Sequence, residues 1–115
     1  MQYMLLIYGD EKNWMNMPEA DMKSMYAAYG AFTKDLMDAG IMRAGSELAP
    51  IGNATTVRVR NAKTVTTDGP FAETKEQLGG YYVIDVPNLD DAIKWAAKVP
   101  SALSGSIEIR PLVGN

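Results

Sequence analysis

The sequence predicts a single α+β domain spanning residues 1–115, and three observations support that prediction. The chain is 47% hydrophobic and 22% charged, a composition that suits one globular unit with a real core. Short strand-like runs alternate with two stretches whose apolar residues recur at spacings of three and four, as in amphipathic helices. No repeat, linker or low-complexity segment interrupts this order, so a second domain is not expected.

The N-terminal half carries a strand, a long helix and an edge strand. Residues 2–8 are predicted to form a buried strand, because residues 3–7 are a continuous apolar run, and the polar stretch 9–13 that follows is predicted to be a loop. Pro18 suits the first turn of a helix, and Gly40 suits the left-handed residue that ends one. Residues 45–50 resemble a short edge strand stopped by proline. The apolar stripe predicted for the helix consists of Met22, Met25, Tyr26, Tyr29, Phe32, Leu36 and Met37.

The C-terminal half begins with a hairpin and ends with a strand, a helix and a strand. Residues 55–60 alternate apolar and basic, and Asn61 opens a two-residue turn into a second strand over 63–67. Residues 81–86 and 106–110 are further strands, separated by a helix that Asn88 caps. The residues expected on the inner side of this helix are Leu89, Ala92, Ile93, Ala96 and Trp95. The complete order is that of a ferredoxin-like split βαβ domain with an inserted hairpin. With both helices on one sheet face, the half-apolar opposite face predicts a homodimer packed sheet on sheet.

Composition excludes several classes of function. The chain has no cysteine and no histidine, so thiol chemistry is excluded and the commonest acid–base group and metal ligand are missing. We therefore expect no metal and no cofactor, and any catalysis must use other side chains. The net charge is −3 with scattered basic residues, which argues against nucleic acid and against membrane surfaces as partners. A cytoplasmic location is expected, since the apolar N-terminal run lacks the basic start of a signal peptide.

The candidate site residues are an aspartate, two arginines and three aromatics. Asp68 follows a strand and precedes Gly-Pro, so its carboxylate either caps the turn or serves as a general base at a pocket. Arg58 and Arg110 lie on alternating strand positions, where they form a charged ladder with neighbouring strands or bind a small anionic ligand. The aromatic candidates for ligand contact are Tyr8 and Trp14, which flank the first loop, and Phe71, which follows the Asp68 turn.

Residues 68–81, with the sequence DGPFAETKEQLGGY, carry a family resemblance that extends through residues 3–8, 28–33, 55–60 and 108–111. Together they resemble the DGPF-domain branch of the YciI-like (YCII-related) family. The resemblance implies a dimeric α+β barrel and places Asp68 at the family's aspartate. The histidine proposed to act with that aspartate in some members has no counterpart here. The resemblance also implies a possible association with a sigma factor.

Two functions of different classes follow from these residues. The first is a small-molecule-binding or regulatory dimeric module that senses a metabolite or docks on a protein such as a sigma factor; the missing histidine and cysteine favour it. The alternative is a cofactor-independent isomerase or lyase in which Asp68 moves a proton. In that mechanism Arg58 or Arg110 holds a carboxylate or enolate, and Tyr8 donates a hydrogen bond. A purely structural dimer is the third possibility.

Overall fold

The computed structural model describes residues 1–114 and shows an α+β domain. Three α-helices and six strands are joined by short connections, two of which contain a turn of 3₁₀ helix at Ile51–Asn53 and Pro100–Leu103. The strands are β1 (Gln2–Gly9), β2 (Met42–Glu47), β3 (Thr55–Arg60), β4 (Lys63–Asp68), β5 (Gln77–Asp85) and β6 (Ser106–Pro111). The helices are α1 (Glu11–Met15), α2 (Glu19–Asp38) and α3 (Leu89–Ala96).

Four of the strands form one antiparallel sheet in the order β2-β5-β1-β6. The two central strands come from opposite halves of the chain, and Leu5 on β1 faces Tyr82 on β5 and Ile109 on β6. Because β1 and β2 are separated by β5, the arrangement is a split βαβ unit. The predicted ferredoxin-like fold is therefore confirmed.

The core lies between the sheet and the two longer helices. Alternate residues of β1 and β5 point to this side, as expected from the period of two in a strand. On the helices, Phe32 and Leu36 of α2 and Ala92 and Ala96 of α3 are buried against them. Small alanines on α3 let its backbone come close to the sheet, so Leu89 and Ile93 remain about half exposed, against the inward positions predicted for them.

Local signals in the sequence account for most element ends. Asn88 accepts a hydrogen bond from the Asp91 amide at 2.9 Å and begins α3, which confirms the predicted cap. Asn61 and Ala62 have φ angles of 52° and 62°, the positive values that a tight hairpin turn requires. Gly40, with a φ of 70°, follows the end of α2 as predicted. The polar stretch 9–13 is not a loop, because Asp10 caps α1 through a hydrogen bond from the Lys12 amide.

The β3–β4 hairpin stands apart from the rest of the domain. Its strands pair with each other in a separate sheet and with no other strand of the described chain. The molecule is consequently flat, 48 × 42 × 20 Å, with a radius of gyration of 16.0 Å, whereas a compact chain of this length has about 13 Å. Val57 and Val59 are 59% and 61% exposed, while Arg58 between them is half-buried.

Within residues 1–114, none of the helices combines the length and the apolar character that crossing a membrane requires.

Candidate binding pocket

A pocket of about 570 Å³ opens on the helix side of the sheet, at the end of β1. We call it the β1 pocket. Its floor is the end of β1 and the start of β5, and its walls are α1, α2, the segment after β2 and the second 3₁₀ turn. Apolar atoms dominate the lining, which includes Trp14, Met17, Met25, Tyr29 and Leu48.

Glu11 holds the rim of the β1 pocket at two points. Its backbone amide donates to the side-chain oxygen of Gln77 at 2.9 Å, which ties α1 to the start of β5. Its carboxylate accepts from the Ile51 amide at 3.2 Å, which ties α1 to the segment after β2. Three separate parts of the chain therefore meet at Glu11, and the rim is fixed by hydrogen bonds instead of by packing alone.

The opposite side depends on one glycine and one tyrosine. A Cβ atom at Gly105 would overlap the carbonyl oxygen of Tyr8, so only glycine lets the chain pass this close to β1. The Tyr29 hydroxyl and the Ser101 hydroxyl share a hydrogen bond at 2.5 Å, which joins α2 to the 3₁₀ turn. Burial raises the pKa of Tyr29, so the phenol stays protonated at neutral pH.

Glu47 and a pair of aromatic rings form the outer edge. The Tyr26 hydroxyl donates to Glu47 at 3.0 Å, and this hydrogen bond to the carboxylate raises the pKa of Tyr26. Tyr26 also packs edge-on against Trp14, with ring centroids 5.6 Å apart and planes at 75°. The indole of Trp14, which lines the β1 pocket, is thereby held in one orientation.

A second cavity of about 280 Å³ adjoins the first beneath α2. Ile7, Tyr29, Glu47 and Gly79 line both cavities, so they stand at the boundary between them. On its far side the Thr33 hydroxyl and the Tyr82 hydroxyl share a hydrogen bond at 2.7 Å. An elongated ligand that fills the β1 pocket would therefore reach toward this second space past Glu47.

The structure brings together two of the six residues predicted from sequence. Tyr8 and Trp14 both line the β1 pocket. The residues around Trp14 form the short helix α1, which covers one side of the cavity. Ligand contact by both residues stays a prediction, and only the Trp14 side chain has a location for it in the β1 pocket. The Tyr8 side chain lies two positions from Leu6 on β1, so it projects to the sheet face opposite the helices, where it interacts electrostatically with Arg110.

Asp68 and Phe71 lie away from both cavities. Asp68 is exposed at the end of β4, opposite Thr55, and its carboxylate makes no hydrogen bond or ion pair with residues 1–114. The turn is held instead by the backbone, since the Gly69 amide donates to Ala54 and the Thr56 hydroxyl donates to Gly69. The Phe71 side chain is 81% exposed. The cap interpretation of the Asp68 carboxylate is therefore wrong.

The two arginines belong to different parts of the molecule. Arg110 on β6 donates to Glu108 of the same strand at 2.5 Å, and this hydrogen bond raises the pKa of Arg110. Arg58 lies on the detached hairpin, which does not pair with β6. The charged ladder that would join them across neighbouring strands is consequently wrong, because the strands are not neighbours.

Sequence reasoning missed Glu11, Tyr29 and Glu47 as pocket residues. The sequence places Tyr29 on the apolar stripe of α2. In the structure its ring leaves that helix toward the 3₁₀ turn, where its hydroxyl shares a hydrogen bond with the Ser101 hydroxyl. Glu11 and Glu47 have no neighbouring motif, and their places depend on contacts 66 and 21 residues away along the chain. No local pattern reports such contacts. Among the described residues, the acidic side chains form no group of three that could hold a metal ion.

Comparison with known proteins agrees with this architecture. The family model described as the YCII-related domain matches residues 1–114. A protein of Rhizobium meliloti (strain 1021), whose name says only that it is uncharacterized, is 36% identical over 114 residues; the match covers 97% of this chain and 92% of that protein.

Proposed function

This chain belongs to the YCII-related domain family, and because that name specifies no activity, we propose its function from the site: it binds a small molecule in the β1 pocket. The observation that supports the proposal is the cavity itself. Its volume of about 570 Å³ falls within the range of roughly 300–1,000 Å³ typical of small-molecule sites. Its largely apolar wall with a few placed polar groups is also typical of such sites.

The β1 pocket is preformed, because contacts within the protein hold its walls in place without a ligand. The Glu11 hydrogen bonds fix one side, the Tyr29–Ser101 bond fixes another, and the close approach at Gly105 fixes the floor. A preformed cavity avoids the entropic cost of ordering loops on binding. Met17 and Met25 supply the adaptable part of the wall, since their unbranched side chains fit ligands of different shapes.

We propose further that the protein works as a homodimer that packs through the open sheet face. Met4, Leu6 and Tyr81 on that face keep part of their side-chain surface accessible around the buried Val83, and a partly accessible apolar sheet face of this kind is typical of an interface. The β1 pocket lies on the opposite, helix-covered side. Each subunit would therefore keep a complete pocket of its own, lined by one chain.

The alternative role of Asp68 as a general base in an isomerase or lyase stays a prediction without a structural argument. A general base needs to reach a bound substrate, and Asp68 lines neither cavity of the described chain. The regulatory role, with a sigma factor or other protein as partner, likewise stays a prediction from the family resemblance. Neither is needed to explain the pocket.

Methyl NMR of the methionines tests the proposal directly. Met17 and Met25 line the β1 pocket, Met37 is an exposed residue of the same helix α2, and Met4 lies on the open sheet face. We expect fragments from a small-molecule library to move the Met17 and Met25 signals and leave Met37 unchanged. In an Ala49→Phe variant the added ring occupies the pocket, so the same fragments should no longer move the Met17 and Met25 signals.

The matched control is Ala27→Phe, an equal change at an exposed position of α2 outside the lining. It should keep the binding of the unmodified protein. If no fragment moves the Met17 and Met25 signals, or if Ala49→Phe binds as well as Ala27→Phe, the pocket is not the binding site and the proposal fails.

A further inference from the structure

The charges around the β1 pocket are all of one sign. Asp10, Glu11 and Glu47 are its ionisable carboxylates, and neither lysine nor arginine lines the pocket in the part of the chain that the structure describes. A cavity with acidic walls and apolar surfaces concentrates cations and repels anions. Resting on the function proposed above, we propose that the ligand is an organic cation, a primary amine with an aromatic or aliphatic body.

Glu47 is the carboxylate that anchors the amine. The Asp10 carboxylate caps α1, and the Glu11 carboxylate accepts a hydrogen bond from the Ile51 amide, so both already bond to the backbone. Glu47 has one oxygen bonded to the Tyr26 hydroxyl and makes no ion pair with any lysine or arginine of residues 1–114. An ammonium group placed beside it forms a charge-assisted hydrogen bond that the protein itself does not supply.

The aromatic side chains complete the site for a cation. Trp14 and Tyr29 line the same cavity as Glu47, and Tyr26 holds both Trp14 and the carboxylate. Aromatic faces attract an ammonium group, and tryptophan does so most strongly. The apolar body of the ligand then packs against Met17 and Met25, which line the same cavity.

The anionic ligand expected from the sequence lacks a counter-charge in this pocket. Arg110 is bonded to Glu108 on β6, and Arg58 lies on the detached hairpin. Neither arginine lines the cavity. The geometry thus reverses the sign of the ligand charge that the sequence suggested, while keeping Trp14 as an expected contact.

Three probes of matched shape separate charge from shape. They are phenethylamine, phenethyl alcohol and 3-phenylpropionate. Each is titrated into the purified full-length protein, and the Met17 and Met25 methyl signals report binding. We expect phenethylamine to bind about tenfold more tightly than the alcohol, because a hydrogen bond to a charged group contributes about that much affinity. The carboxylate should bind most weakly.

Glu47→Gln is the decisive variant, because it keeps the shape and removes the charge. It should weaken phenethylamine about tenfold and leave phenethyl alcohol within about twofold. The matched control is Glu19→Gln on α2, an exposed acid outside the pocket, which should change neither affinity.

Equal binding of amine and alcohol, tighter binding of the carboxylate, or an unchanged amine affinity in Glu47→Gln would overturn the cation assignment. In each of these cases the pocket still binds a small molecule, so the function proposed above survives. If none of the three probes moves the pocket methyl signals at millimolar concentration, while the fragment library does, only the cation assignment falls. If neither the three probes nor the fragment library moves the Met17 and Met25 signals, both proposals fail.

Discussion

The β1 pocket and the segment over residues 68–75 both combine acidic and aromatic side chains, but only the pocket's side chains are held by contacts with other elements. Around the pocket, Glu11, Tyr29 and Glu47 each have a hydrogen-bond partner on another element. In the 68–75 segment, the Asp68 carboxylate and the Phe71 ring face solvent. A distinctive run of residue types therefore identifies a segment, whereas a site requires side chains that converge from separate parts of the chain.

A pair of glycine substitutions should show the largest difference between the two regions. Gly105→Ala places a methyl group on the Tyr8 carbonyl oxygen, where backbone on both sides prevents relaxation. Gly69→Ala meets open space and is penalised only by its φ of 96°. We expect losses in the free energy of unfolding of about 3–5 kcal/mol for the first and about 1–2 kcal/mol for the second. Urea denaturation measures both, and equal losses would mean that the approach at Gly105 is not rigid.

Aromatic truncation sharpens the functional side of the comparison. Trp14→Ala removes a pocket wall, so binding of phenethylamine should weaken at least about tenfold. Phe71→Ala removes an exposed ring outside both cavities and should leave the affinity within about twofold. Isothermal titration measures both affinities. A larger loss for Phe71→Ala would place the site at residues 68–75 and not in the β1 pocket.

Removal of one hydroxyl tests how strongly the pocket wall is fixed. Tyr29→Phe loses the hydrogen bond to Ser101 in a half-buried setting, so we expect a loss in the free energy of unfolding of about 1 kcal/mol. Tyr26→Phe loses a bond at the exposed surface and should change the free energy of unfolding by less. If the two variants ranked in the reverse order, Glu47 and not Ser101 would be the main support of α2.

The smallest effect concerns alkaline pH. The pKa of Tyr29 is raised in the folded protein, mainly by burial, so the unfolded state loses its proton first as pH rises. The stabilisation from the protonated phenol is fully present below pH of about 10, the value of an unfolded tyrosine, and is lost as pH rises through the higher folded pKa. Unfolding by urea at pH 9 and above should show a smaller decline in Tyr29→Phe than in the unmodified protein. Identical declines would show that another group controls it.

The sequence predicts the fold well because strands, caps and turns are specified locally. The alternation on β3, the Asn88 cap and the Asn61-Ala62 turn each depend on residues within a few positions of one another. The β1 pocket is predicted only in part, through Tyr8 and Trp14 at its first strand and helix. Gln77 and Glu11 are bonded across 66 residues, and only the folded chain brings them together.

The hairpin also shows that a local sequence pattern does not predict tertiary contacts. Alternating valines on β3 correctly predict a strand, but alternation does not say what covers the apolar face. On β1 the equivalent face is covered by α2 and α3, whereas on β3 it is left about 60% exposed. The period of the pattern determines the element, and the tertiary contacts determine its surroundings.

The anchoring of the hairpin has a consequence for how the domain can be rebuilt. The Gly69 amide donates to the Ala54 carbonyl at 2.7 Å, so the chain leaves and re-enters the body of the domain at one place. Residues 55–68 form a cassette whose two ends already touch, and a short splice across them would leave all four strands of the main sheet and the β1 pocket in place. Asp68, the most conspicuous acid of the sequence, belongs to this exchangeable piece.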